Sequence, residues 1–303
     1  MRFGFPCIST LRPDISCQHT TILKYATPDK IEALARGNIV GLRAMLDHVA
    51  GLGLGLFRIG EAFIPFASHP AVGFDWRMVL ADDLAAVGAH ARALRLRLSF
   101  HPGPYTVLNS TRPDVIQQAI RDLDYQAGVL DLLGQPLDGK VILHGGSTQP
   151  SKAEAAAQWI AVANDLPPAI RARLVIENDE RLWGVDDALA LSAATGIPVV
   201  FDAFHHSVYP SPKSDDLTAT LRAVFGTWPA DQMPKIHFSS QAPAKRPGAH
   251  ADDINPAEFE RFLDETAGVG RDFDVMFEAK AKDAAVVKLL HALYSQLERA
   301  PEF

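Results

Sequence analysis

Eight short apolar runs recur along this chain, each separated from the next by a stretch long enough to form an amphipathic helix. They are Arg2 to Phe5, Gly53 to Ile59, Leu96 to His101, Lys140 to His144, Leu174 to Glu177, Pro198 to Asp202, Lys235 to Phe238, and Asp274 to Glu278. Most are continuous in Val, Ile, Leu and Phe, as a strand reads when both its faces are covered. Repeated βα units imply a parallel sheet wrapped by helices. Eight of them predict the α/β class and a single (β/α)8 TIM barrel, one domain over residues 1–303.

Helix start signals fill the intervening segments. Thr27-Pro28, Ser151 with Glu154, and Asn255-Pro256 with Glu258 each place a capping side chain before a helical run. After the first cap, Ile31, Leu34, Leu42, Met45, Val49 and Leu52 recur on one helical face. Gly37-Asn38 is expected to interrupt that helix, both being poor helix formers.

Several classes are excluded. A chain that is 48% hydrophobic and 21% charged can bury a large core, so it is neither disordered nor fibrous. No run approaches the roughly 18 apolar residues that cross a bilayer, and Met1 to Pro6 reads as a first strand rather than a signal peptide. Cys7 and Cys17 are too few for a disulfide framework, which fits a reducing, cytoplasmic compartment. The formal charge of −7 argues mildly against a nucleic-acid partner.

What ends the runs points to chemistry. Phe100 leads to His101, Leu143 to His144, Ile176 to Glu177, Phe201 to Asp202, Ile236 to His237, and Phe277 to Glu278. In a parallel barrel the C-terminal strand ends share one face, so these six side chains should converge there. Three imidazoles with three carboxylates exceed an acid/base pair, and clustered carboxylates repel unless cations neutralise them. A metal site at the C-terminal face of the strands is the natural solution, and the mixed ligand set suits zinc, manganese or iron.

Loops above the same face add His205, three residues beyond Asp202, together with His250 and His69. Lys235 shares a strand face with His237 and should point into the barrel, where it binds substrate phosphate or loses its charge by burial or modification. Taken singly, a strand-end histidine reads as a hydrogen-bonded structural residue ahead of a ligand; the coincidence of six ligand-type strand ends favours ligation. His48, His90 and His291 fall in helical segments and are read as solvated or packing residues. Lys245-Arg246 is a solvated pair or a phosphate contact, Asp179 and Glu180 are loop acceptors, and Trp76 and Trp183 are packing residues.

Clustered divalent ions activate water near neutral pH and stabilise both oxygens of a phosphoryl displacement. Three of them would add +6 against the −7, which removes the objection to DNA. At these residues the chain resembles the UV-damage endonucleases, metal-dependent TIM-barrel nucleases related to endonuclease IV. The resemblance rests on Phe57-Arg58-Ile59-Gly60 with Ile64 to Pro70, His101-Pro102-Gly103, Glu177 to Trp183, Asp202-Ala203-Phe204-His205-His206, Lys235-Ile236-His237, Arg246 to His250, and Glu278-Ala279-Lys280.

The resemblance implies incision on the 5′ side of a cyclobutane dimer or 6-4 product in double-stranded DNA, leaving a 3′ hydroxyl. It implies up to three Mn2+ ions, with Zn2+, Co2+ or Mg2+ as alternatives, held by His101, His144, Glu177, Asp202, His205, His237, His250 and Glu278. Lys235 and His69 match active-site positions, with Lys235 open to carboxylation. Phe5, Pro104, Tyr105, Lys245 and Arg246 are expected to face the duplex or its lesion, in a monomeric enzyme. The family pattern Gly-Tyr-Pro is here Gly4-Phe5-Pro6, and His-Pro-Gly-Gln-Tyr is His101-Pro102-Gly103-Pro104-Tyr105. Tyr105 keeps a stacking surface, while Pro104 cannot supply the amide hydrogen bonds of glutamine.

Two rival readings share these residues. A sugar isomerase or epimerase on the same barrel would leave a dimer-bearing duplex intact, because fold alone does not select the chemistry. A damage-binding protein without catalysis would shift the duplex but not incise it.

Overall fold

The computed structural model describes residues 1–213 and 216–297; residues 214–215 and 298–303 of the expected single domain lie outside them. Eight parallel strands close into a barrel in sequence order, β1 pairing with both β2 and β8. They are β1 (Phe3–Pro6), β2 (Leu56–Ile59), β3 (Arg97–Phe100), β4 (Val141–His144), β5 (Leu174–Glu177), β6 (Val199–Asp202), β7 (Lys235–Phe238) and β8 (Asp274–Phe277). The helices are α1 (Pro28–Gly51), α2 (Trp76–Val79), α3 (Ala81–Ala93), α4 (Pro113–Leu132), α5 (Lys152–Asp165), α6 (Pro168–Arg173), α7 (Val185–Thr195), α8 (Ala203–Val208), α9 (Leu217–Gly226), α10 (Pro256–Thr266) and α11 (Lys282–Leu297).

The eight expected strands are all present, two of them with the expected bounds and the others with ends shifted by at most three residues. Glycines lengthened the expected β2, whereas pairing with β1 and β3 begins only at Leu56. The three expected caps form: Thr27, Ser151 and Asn255 accept from Lys30, Glu154 and Ala257 backbone N–H groups. The expected break at Gly37-Asn38 does not occur, for α1 runs unbroken. Asn38 is buried and its amide donates to the carbonyls of His19 and Phe63, so tertiary bonds override a weak local propensity.

Alternation along each strand sorts the side chains into two cores. Outward residues such as Phe57, Leu98, Phe100, Ile176 and Phe201 pack against the helices in the main core. Inward residues Ile142, Val175 and Val200 form a separate cluster with Trp228, whose indole donates to the Val199 carbonyl at 2.7 Å. This cluster floors the barrel. Beside it, Asp274 accepts from Arg97 Nη1 at 2.8 Å and from Arg2 Nη2 at 2.7 Å, tying β8 to β1 and β3. Above the floor the inward positions become ionisable.

Candidate active site

The period of two sets this change. Counting inward from the floor, Ile142 is followed by His144, Val175 by Glu177, Val200 by Asp202, and Lys235 by His237. His101 and Glu278 lie just past the ends of β3 and β8. The six side chains fall into two groups that share one carboxylate. His101, His144 and Glu177 form the first, and Glu177, Asp202, His237 and Glu278 the second, with candidate ligand atoms of each group within 4.8 Å of one another.

Glu177 bridges the groups. Its Oε2 lies 2.8 Å from His101 Nε2 and 3.5 Å from His144 Nε2, while Oε1 is 2.5 Å from His237 Nδ1. Burial alone would raise its pKa, but His237, His144 and His101 outweigh that and hold the carboxyl well below the ordinary range. Asp202 goes the other way, its pKa raised by burial against the attraction of His205. Burial lowers the His101 imidazole to about 4 despite Glu177. His205 rises to about 9, as Asp202, then Glu177 and Glu278, overcome the cost of burial.

The donor set fits a bound cation. The Pro102 carbonyl, 3.1 Å from His101 Nδ1, can only accept, so that nitrogen carries the hydrogen. Nε2 is then the nitrogen turned toward Glu177 Oε2, at 2.8 Å, a nitrogen–carboxylate pair that a proton or a shared metal ion would satisfy. Asp202 Oδ2, His144 Nδ1 and His237 Nε2 are buried with no hydrogen-bond partner among the described residues, a pattern that calls for a cation or water.

His205 and His250 lie outside the two groups but adjoin them. Their rings meet edge to face at 5.8 Å, and His205 lies 5.9 Å from the His144 ring. Each holds Nδ1 against a backbone carbonyl, of Asn178 and Glu278 respectively, at 2.9 Å. A ring fixed in this way presents Nε2 as a ligand.

Lys235 is 1% exposed and its Nζ has no hydrogen-bond partner among the described residues. Burial, then Arg97 and Arg58, drives its pKa well below that of an ordinary lysine. His69 stands apart from the ligand groups, in the loop after β2. Its Nδ1 accepts from the Ala71 N–H, so the neutral ring carries its hydrogen on Nε2. Tyr105 is 88% exposed, and Pro104, Lys245 and Arg246 are exposed as well. A cavity of about 440 Å³ opens beside His144, lined among others by Pro104, Glu180 and Arg181.

Phe5 corrects the expectation. It shares the outward parity of Phe3, packs edge to face on Phe57 at 5.5 Å and is fully buried, so it cannot face a duplex. His48 is not simply solvated: its Nε2 contacts Asp283 at 2.8 Å. Trp76 and Trp183 are buried, and Asp179 accepts from three successive N–H groups.

Sequence reasoning missed Arg58, buried on β2 and paired with Glu278. The signal was available, because Arg58 interrupts an apolar strand just as Lys235 does. It also missed Glu61, which accepts from the Gly103 N–H at 2.6 Å.

The family model described as UV-endonuclease UvdE matches residues 1–301. The chain belongs to the UV-endonuclease UvdE family. Among UvdE-family relatives, the UV DNA damage endonuclease of Clostridium perfringens (strain 13 / Type A) is 31% identical over 295 residues, covering 97% of this chain and 71% of that protein. The crystal structure of SacUVDE superposes with a TM-score of 0.89 at 33% identity, over 98% of this chain and 99% of that one. Endonuclease IV from Thermus thermophilus shares the fold, with a TM-score of 0.61 at 17% identity over 99% of this chain and 100% of that one. Membership of this family supports an endonuclease acting on DNA rather than the isomerase reading. Among the described residues no helix is long and apolar enough to cross a membrane.

Proposed function

We propose that this chain is a metal-dependent DNA repair endonuclease that incises the phosphodiester on the 5′ side of UV photoproducts, cyclobutane dimers and 6-4 products, and leaves a 3′ hydroxyl. The observation that carries this reading is the shared carboxylate: Glu177 belongs to both ligand groups, with Oε2 2.8 Å from His101 Nε2 and Oε1 2.5 Å from His237 Nδ1. His101, His144, Glu177, Asp202, His205, His237, His250 and Glu278 would hold up to three divalent ions, Mn2+ foremost and Zn2+, Co2+ or Mg2+ as alternatives. Such ions supply a nucleophile at neutral pH and charge for the attacking and leaving oxygens.

The chain's own residues do the rest. Arg58 holds Glu278 and so fixes one ligand's orientation. The His69 Nε2 hydrogen can bind a phosphate oxygen. Lys235 is buried in a place where an ammonium is disfavoured, which supports its reacting with carbon dioxide to become a carbamate ligand. Lys245 and Arg246 are exposed on the loop that carries His250 and would grip the backbone. Tyr105 would stack where a photoproduct, already poorly paired, is extruded at reduced cost. The enzyme would act as a monomer in the cytoplasm.

The test is incubation of manganese-loaded protein with a labelled duplex bearing one dimer. A single nick immediately 5′ of the lesion, with an end that a polymerase extends, supports the proposal. An intact duplex overturns it, and one that is shifted without being cut would favour a pure damage binder.

A further inference from the structure

Tyr105 sits at the tip of a tight turn. The Thr106 N–H donates to the Gly103 carbonyl at 3.0 Å, which makes Gly103-Pro104-Tyr105-Thr106 a β-turn with Pro104 at its second position, where a proline's fixed φ is favoured. Of residues 102–104, two are prolines, so Gly103 offers the sole backbone donor, and Glu61 Oε2 takes it at 2.6 Å. At the far end of the turn, Thr106 is buried and its hydroxyl donates to Asp122 Oδ2 at 3.4 Å. Both feet of the turn are therefore held by carboxylates from other elements, while the ring between them is 88% exposed.

Asp122 is fixed in turn. Gln118 Nε2 donates to Asp122 Oδ1 at 2.8 Å and to Ser68 Oγ at 3.3 Å. Arg121 donates to Gln118 Oε1 at 2.6 and 3.2 Å, and a guanidinium can only donate, so the amide cannot be reversed. One side of α4 thus links the Tyr105 turn to the loop that carries His69, across a cavity of about 250 Å³ lined by Glu61, Ser68, His69, Thr106, Gln118 and Asp122.

We infer that Glu61 and Asp122 are positioning residues that hold Tyr105 as a rigid wedge for the extruded lesion. This inference rests on the lesion-incision reading above. Pro104 then has a role of its own: it replaces a hydrogen-bonding side chain by a turn whose ordering cost is met before DNA arrives.

The experiment compares wild type with Glu61→Ala, Glu61→Gln, Asp122→Ala, Tyr105→Ala and the Glu61→Ala/Tyr105→Ala double variant. Residue-resolved amide exchange should show the Gly103 amide about tenfold faster in Glu61→Ala and near wild type in Glu61→Gln, whose carbonyl still accepts. Affinity for a dimer-bearing duplex should fall about five- to tenfold in Glu61→Ala and Asp122→Ala, with affinity for undamaged duplex and metal content unchanged. On the Tyr105→Ala background, Glu61→Ala should have no further effect. Equal losses with and without Tyr105, or unchanged Gly103 exchange in Glu61→Ala, overturn the wedge. If wild type itself does not prefer the damaged duplex, the lesion reading fails, and the exchange measurement still decides whether Glu61 holds the turn.

Discussion

Glu177 holds one carboxylate oxygen 2.8 Å from His101 Nε2 and the other 2.5 Å from His237 Nδ1. One side chain on β5 thereby joins candidate ligands from the end of β3 and from β7. Replacement by Gln keeps the shape but removes the charge that both ligand groups share. Glu177→Gln is expected to lower nicking of irradiated plasmid at least about 100-fold and to release metal, read by elemental analysis of the purified protein. Retained metal together with retained nicking would show that Glu177 is not a shared ligand.

His205 and His250 form a separable pair. Each is oriented through Nδ1 by a backbone carbonyl, and each lies outside the two groups around Glu177. Either alanine variant should lose one equivalent of metal, with that ion's affinity reduced about 10- to 100-fold, and keep the rest. Loss of every ion in His250→Ala would mean that the sites are not independent.

Lys235→Met separates function from stability. The amine is buried without a partner, so an apolar chain of similar length should leave the melting temperature unchanged or raise it. Nicking should fall by at least about tenfold if a carbamate or amine is needed there. Intact-protein mass spectrometry in bicarbonate should show the mass of one added carbon dioxide in wild type and not in the variant.

Tyr105→Ala should weaken binding to damaged duplex by about 1–3 kcal/mol, the worth of one stacked base, and leave metal content intact. Equal weakening on undamaged duplex would make Tyr105 a general backbone contact instead.

Acid stability should depend on Asp274. Burial opposes its ionisation, but the Arg2 hydrogen bond and the Arg97 charge prevail and lower its pKa. A depressed carboxyl stabilises the fold fully above its unfolded pKa of about 3.9, and that contribution is lost as pH falls through the lower folded value. Asp274→Asn should therefore cost about 3 kcal/mol at pH 7, because Arg97 is left buried and under-paired. In thermal melts the gap to wild type should narrow as pH falls from about 3.9 through the lowered folded value. A gap that stays constant with pH would place the effect in packing.

The barrel and the convergence of its inward ionisable residues were legible because strands alternate faces: the count that put Lys235 and His237 inside also applies to His144, Glu177 and Asp202. Phe5 was misread because its family position was weighed and its parity was not. Asn38 was misread because its bonds reach His19 and Phe63, beyond any local pattern. Glu61 and Asp122 left no trace in sequence, since a carboxylate 42 residues from Gly103 or 16 from Thr106 acquires its role only on folding.

The Trp228 cluster closes the lower end of the barrel. The interior is thus a cup with one mouth, and nothing can thread through it. A polymer chain can reach the ionisable upper layer only over the rim and must leave by the path it entered.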